Sequence, residues 1–79
     1  MRLVLCHHYA HPELDWRPLG RLRSGGDVEY DLSAELGVVL VRYDDWTSER
    51  AGAGLVDELR ELLERSLGIV VEGTPVLDR

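Results

Sequence analysis

The sequence has one cysteine and no lysine, asparagine, glutamine or phenylalanine among its 79 residues. A single cysteine, Cys6, excludes an internal disulfide, so the chain does not resemble a secreted scaffold that is stapled by cystines. All nine basic residues are arginine, a bias that is typical of a GC-rich genome. These absences bear on the compartment and the genome, and they leave the function open.

The chain also lacks a long apolar run. No stretch approaches the roughly 18 consecutive apolar residues of a membrane-spanning helix. The apolar run after Met1 covers only Leu3 to Cys6, which is shorter than the apolar core of a signal peptide. We therefore expect a protein that is not secreted and has no membrane contact. Its expected location is the cytoplasm, or the inside of a phage particle or another assembly.

Length and charge limit the classes of partner. Seventy-nine residues make a single small domain, 1–79, which buries only about 60% of the surface that its unfolded chain exposes. The net charge is −6, and residues 27–64 hold eleven acidic side chains against three arginines. Because Lys and Arg supply most of the affinity for phosphates, this acidic body predicts no direct nucleic-acid binding. A basic protein surface would be the better partner.

The predicted fold is organised around residues 37–46, in which four apolar residues stand between a glycine and an acidic pair. The apolar run is short and mostly β-branched, which predicts a strand. Val38 and Leu40 would lie on one face of this strand, and Val39 and Val41 on the other. A strand with two apolar faces belongs in the middle of a sheet that is covered on both sides.

Two further segments before this strand predict sheet structure. Residues 2–9 begin as a mainly apolar strand, which we place beside the central strand. Residues 10–20 contain two prolines and a glycine and predict a loop whose apolar side chains form a lid. Residues 21–32 predict a hairpin with a three-residue loop, because that loop opposes Leu22 to Val28 and charge to charge.

The segment after the central strand contains the one strong helix signal. Apolar residues recur at spacings of three and four over 55–67, and the helix is expected to begin near residue 48. Gly68 is placed to end it in the left-handed conformation. Residues 69–72 then predict a strand parallel to the central one, and the tail 76–79 is expected to be loose. The predicted class is α+β: a mixed sheet of four to five strands with one main helix, about 48–67, on one face.

A group of potential metal ligands lies at the end of the first strand. Cys6 and His8 share a strand face, and His11 would return from the following loop, which gives three ligands of the kind that zinc takes. A buried free thiol beside two histidines explains the same residues without a metal. Structural zinc sites usually draw on two ligand pairs, and residues 12–79 contain no further Cys or His. The expected protein has no cofactor, and a zinc-binding protein that uses Cys6, His8 and His11 is the alternative.

Other chemistry finds less support. Asp44 and Asp45 would follow a central strand, where they either cap the helix or hold a hydrated magnesium ion. Cys6 and His7 point to opposite strand faces, and the glycine pairs lack the Lys-Ser/Thr of a phosphate-binding loop. The sequence therefore predicts a protein that is not an enzyme.

The leading hypothesis is a small, acidic, non-enzymatic protein-protein interaction module. It would be an accessory subunit such as an antitoxin, an immunity or inhibitor protein, or a phage component. One helix covers one sheet face, so another protein or a second copy would close the other. The candidate contact residues are Val39, Val41, Trp16, Asp27, Glu29 and Asp31. A further alternative, an acidic inhibitor that mimics nucleic acid, would join Asp27, Glu29 and Asp31 to the helix acids Asp57, Glu58, Glu61 and Glu64.

Overall fold

The structure is a computed structural model, and it describes residues 1–7, 9–23, 26–43 and 53–78. Within these residues it contains a five-stranded mixed sheet and one helix, which confirms the predicted α+β class. The strands are β1 (Arg2–Cys6), β2 (Arg17–Arg21), β3 (Asp27–Ser33), β4 (Val38–Tyr43) and β5 (Val76–Asp78), and the helix is α1 (Ala53–Leu67). Their order across the sheet is β2-β3-β4-β1-β5.

β4 is the middle strand, as its two apolar faces predict. It pairs in parallel with β1, where Leu3 lies beside Val39 and Leu5 beside Val41. Side chains of directly paired residues point to the same face of a sheet, so these four form one apolar surface. Each of the four is at most 1% exposed. This surface is the sheet face against which α1 packs.

α1 covers this face with its apolar stripe. Leu59, Leu62 and Leu63 recur at the spacing of one helix face, and they join the buried core cluster together with Val28 and Val71. The predicted helix over 55–67 is confirmed, and its expected beginning near residue 48 falls outside the described residues. In the described part of the chain, α1 is too short and too polar to cross a membrane.

Gly68 ends the helix in the left-handed conformation, as predicted. Its φ is 67°, its N–H donates to the Glu64 carbonyl at 3.0 Å, and an added Cβ would meet nothing within 4 Å. We expect Gly68→Ala to lower the free energy of unfolding by about 1 kcal/mol through backbone strain alone. In the matched control Gly54→Ala, which also meets nothing within 4 Å, the helical backbone should instead be stabilised by about 0.5 kcal/mol. Urea unfolding measures both changes, and two changes of the same sign would contradict this expectation.

The hairpin forms, but its predicted register is wrong. Arg21, and not Arg23, lies beside Asp27. The connection is longer than predicted and is closed by a hydrogen bond from the Leu22 N–H to the Gly26 carbonyl, at 2.8 Å. Leu22 leaves the strand and is buried in the core, with 5% of its surface exposed. The observed register keeps a charged pair, Arg21 with Asp27, and loses the predicted pairing of Leu22 with Val28, since both of these side chains are buried in the core.

β2 comprises the last four residues of the segment 10–20, which the sequence predicts as a loop, together with Arg21. It forms one edge of the sheet, and its pairing with β3 is irregular between Pro18 and Gly20. An edge strand tolerates proline because one side of it has no partner strand to which an N–H must donate. The loop predicted from the prolines is therefore wrong for these residues, which form a short edge strand.

The chain after α1 also differs from the prediction. Residues 69–72 do not form a strand, and their backbone is hydrogen-bonded to Met1 and, through the Val71 N–H, to the Glu64 carboxylate at 3.3 Å. The Met1 amino group donates to the Val70 carbonyl at 3.0 Å, and the Glu72 N–H donates to the Met1 carbonyl at 2.8 Å. The tail, predicted to be loose, forms β5 in parallel with β1. It covers an edge of β1 that would otherwise present unpaired backbone groups.

The sheet face opposite α1 carries the other apolar side chains of β4. Val38 and Leu40 lie there together with Val4 of β1, and all three are half-buried. Val39 and Val41, the predicted contact residues, are instead 0% exposed in the core under α1. That assignment to a contact surface is wrong, because strand alternation separates two faces without indicating which one the helix covers.

Candidate metal centre

A cluster of polar side chains lies at the carboxyl ends of β1 and β5. Cys6 ends β1 and Asp78 ends β5, and the parallel register places the two residues beside each other. Both belong to the sheet face opposite α1, since each follows the residue that faces the helix in its strand. The sheet therefore brings together a thiol and a carboxylate that are 72 residues apart in sequence.

His11 reaches this cluster through a left-handed turn. Its φ is 51°, a conformation in which histidine is several-fold enriched over most residues. The His11 carbonyl accepts hydrogen bonds from the Leu14 N–H at 3.1 Å and from the Trp16 indole Nε1 at 2.8 Å. These bonds fix the turn that directs the imidazole back to the end of the sheet.

The three side chains converge on a common point. Cys6 Sγ, His11 Nε2 and Asp78 Oδ2 all lie within 4.8 Å of one another. The thiol donates to Asp78 Oδ2 over 3.7 Å, and His11 Nε2 contacts the same carboxylate oxygen. On its other side, His11 Nδ1 lies 3.5 Å from Glu13 Oε1. The imidazole is thus held between two carboxylates.

These contacts shift the proton affinities of all three groups. Burial raises the pKa of the Cys6 thiol to about 12, and the Asp78 carboxylate adds to the rise. The hydrogen bond between His11 and Asp78 raises the pKa of His11 and lowers the pKa of Asp78. Since the thiolate is the reactive form of cysteine, a thiol with this pKa is a poor nucleophile at neutral pH. These contacts therefore favour the protonated thiol.

The cluster is closed to solvent at Cys6, which we call its base, and open to solvent at His11 and Asp78, which we call its rim. Cys6 is 0% exposed, whereas the side chains of His11 and Asp78 are 38% and 35% exposed. Solvent thus reaches the imidazole and the carboxylate but not the sulfur. An ion could enter from the rim and meet the sulfur last.

Arg42 anchors the loop 10–16 to the sheet. Its Nε donates to Glu29 Oε1 at 3.0 Å, and its Nη1 donates to the Ala10 carbonyl at 3.0 Å. The guanidinium carbon also lies 4.3 Å from the centre of the Trp16 ring, a cation-π distance. Trp16, predicted as a contact for a partner, thus packs against an arginine of its own chain. The anchored loop is the one that carries the histidine of the cluster.

The sequence identified two of the three converging residues. Cys6 and His11 come together as predicted, and His8 lies outside the described residues, as do Asp44 and Asp45. Asp78 was missed because the tail was expected to be loose. A three-residue strand is too short to show a periodicity, so the sequence held no signal that singled out this carboxylate.

The acidic residues predicted as a recognition surface are divided by the sheet. Asp27 pairs with Arg21 at 3.3 Å, and Glu29 pairs with Arg42 at 3.0 Å. Glu29 and Asp31 lie beside Arg42 and Leu40 of β4, on the face opposite α1. The acidic side chains of the helix lie on the other side of the sheet. Nucleic-acid mimicry would need both groups to act together, and that hypothesis stays a prediction.

No protein family, curated protein or solved structure matched the chain. The chemistry of the cluster and the exposed faces of the fold are therefore the basis for assigning a function.

Proposed function

We propose that the protein binds a divalent transition-metal ion, zinc by the character of the ligands, through Cys6, His11 and Asp78. The observation that carries this proposal is the convergence of one sulfur, one nitrogen and one oxygen donor within 4.8 Å. Zinc bonds of about 2.0–2.3 Å in a tetrahedron place neighbouring donors roughly 3.3–3.8 Å apart. Cys6 Sγ lies 3.7 Å from Asp78 Oδ2, within this range, whereas His11 Nε2 lies closer to Asp78 Oδ2 and would move away from it on binding.

The donor set favours zinc over the common hard cations. Calcium and magnesium take oxygen ligands, whereas a thiolate with an imidazole suits zinc and its neighbours in the first transition row. Glu13 adds support, because a histidine that binds a metal commonly donates its second ring N–H to a carboxylate. Glu13 Oε1 lies 3.5 Å from His11 Nδ1, where it would orient the ring and make Nε2 a stronger ligand.

The raised pKa of Cys6 is compatible with metal binding. Burial and a nearby negative charge disfavour the thiolate, and a cation at the site reverses the second of these effects. A thiol that coordinates a metal ion is deprotonated outright. Binding would thus exchange the proton of the thiol and the proton shared by His11 and Asp78 for coordination bonds.

Such an ion would have a structural role. It would join β1, β5 and the loop 10–16, which are separate in sequence and meet at the cluster. Because an ion that binds only the folded chain stabilises it by mass action, zinc would hold the short edge strand β5 in the sheet. This role needs no catalytic group, and it requires only that the ion displace the proton of the thiol.

Metal content and cobalt spectroscopy test the proposal. Protein purified without an affinity tag and without chelators should contain close to one zinc ion per chain by elemental analysis. Cobalt added to stripped protein should give a thiolate-to-cobalt absorption band, and Cys6→Ser should lose that band. Well under one metal ion per chain, together with no thiolate band, would contradict zinc binding.

A second function, protein-protein interaction, is supported by a separate observation. The loop 10–16 contacts the sheet face opposite α1 at the end that holds the cluster, through Arg42 and Asp78. Val4, Val38 and Leu40 are half-buried on the rest of this face. The two functions are compatible, since no ligand of the proposed metal site belongs to this group of aliphatic side chains.

A further inference from the structure

Four aliphatic side chains form a continuous surface on the sheet face opposite α1. Val4 of β1 lies between Leu40 of β4 and Val76 of β5, and Val38 is the next residue of β4 on this face. Val76 is 40% exposed, and the other three are half-buried. We call this surface the open face. It would gain from burial against a second apolar surface.

The open face has one positive and one negative side chain at its borders. Arg2 lies beside Val38, and Asp31 lies beside Leu40 on the opposite side of β4. Among the described residues, no ion pair involves Arg2 or Asp31. Five other arginines do form ion pairs there, namely Arg17, Arg21, Arg23, Arg42 and Arg65.

We infer that the open face binds a second copy of this chain in an isologous dimer. Two stacked copies would be related by a twofold axis that runs parallel to the sheets, midway between them, and crosses β4 between Val38 and Leu40. This axis would bring Arg2 of each copy opposite Asp31 of the other. An isologous interface makes every contact twice, so one cation and one anion suffice for two intermolecular ion pairs. The aliphatic centre would be buried between two stacked sheets. None of the proposed zinc ligands takes part in these contacts.

Charge reversal tests this dimer. In Arg2→Asp, position 2 of each copy would place an acidic side chain opposite Asp31 of the other copy. In Asp31→Arg, position 31 of each copy would place an arginine opposite Arg2 of the other. Each variant should weaken the dimer roughly tenfold or more, because like charges that meet in an interface are strongly unfavourable. The combined variant restores both ion pairs with exchanged signs and should return the dissociation constant close to that of the unmodified chain. An equimolar mixture of the two single variants should form a heterodimer that is tighter than either homodimer.

Sedimentation equilibrium over a wide dilution range, on the protein as purified and again with a chelator, measures these constants and separates any contribution from metal. Leu40→Asp should abolish the dimer, and Leu36→Asp is the matched control, since Leu36 is 76% exposed in the turn before β4. Far-UV circular dichroism checks that each variant is folded. An unmodified chain that stays monomeric at every concentration would overturn the inference. So would a combined variant that dimerises no better than the single ones, because the partner would then not be a copy related by this axis.

Discussion

Asp78→Asn is expected to lower the affinity for zinc by at least about 100-fold, whereas Asp15→Asn should leave it unchanged. Loss of outer groups that only orient a ligand already costs about 10- to 100-fold, and Asp78 would supply one of three protein ligands. Asparagine keeps the shape of the side chain but removes its negative charge. Asp15 is the matched control because its side chain is 87% exposed and pairs with Arg17, away from the cluster.

Competition with a chromogenic chelator measures these affinities on stripped protein. His11→Gln should cause a loss similar to that of Asp78→Asn, and Glu13→Gln a smaller one of about tenfold, since Glu13 acts through the histidine. His8→Gln tests the remaining ligand predicted from the sequence, and a loss as large as that of Asp78→Asn would identify His8 as a fourth ligand. Equal affinities in Asp78→Asn and Asp15→Asn would show that the ion, if bound, lies elsewhere.

Val39→Asp is expected to unfold the chain, whereas Leu40→Asp should leave it folded. Val39 is 0% exposed between Leu3 of β1 and Leu32 of β3, so a carboxylate there would be buried without a partner. Such substitutions cost more than about 4 kcal/mol, and a domain of this length has a total stability of roughly 4–12 kcal/mol. A carboxylate at Leu40 reaches solvent on the open face.

Circular dichroism and urea unfolding of the two variants measure this contrast. The positions are adjacent and the introduced side chain is the same, so any difference reports which face of β4 the helix covers. A folded Val39→Asp variant combined with an unfolded Leu40→Asp variant would place the core on the opposite face. It would also remove the basis for the open face.

The sequence by itself determined the features that depend on local pattern. The spacing of Leu59, Leu62 and Leu63 specifies a helix with one apolar face, and only a glycine readily takes the left-handed position at residue 68. The β-branched run of β4, apolar on both faces, specifies a middle strand. Each of these signals is contained within about one helical turn or one strand. The local structure that it specifies therefore does not depend on contacts with residues far away in the sequence.

Tertiary structure decided the features that depend on contacts between segments far apart in the sequence. Alternation along β4 divides its side chains into two sets, but only the docking of α1 selected Val39 and Val41 for the core. The register of the hairpin followed the burial of Leu22, which is a property of the whole core. Asp78 became part of a site only because β5 aligned in parallel with β1 and set it beside Cys6. A three-residue strand has too few local contacts to fix its own conformation, so its position follows from the free edge of β1 and from the side chains that it meets there.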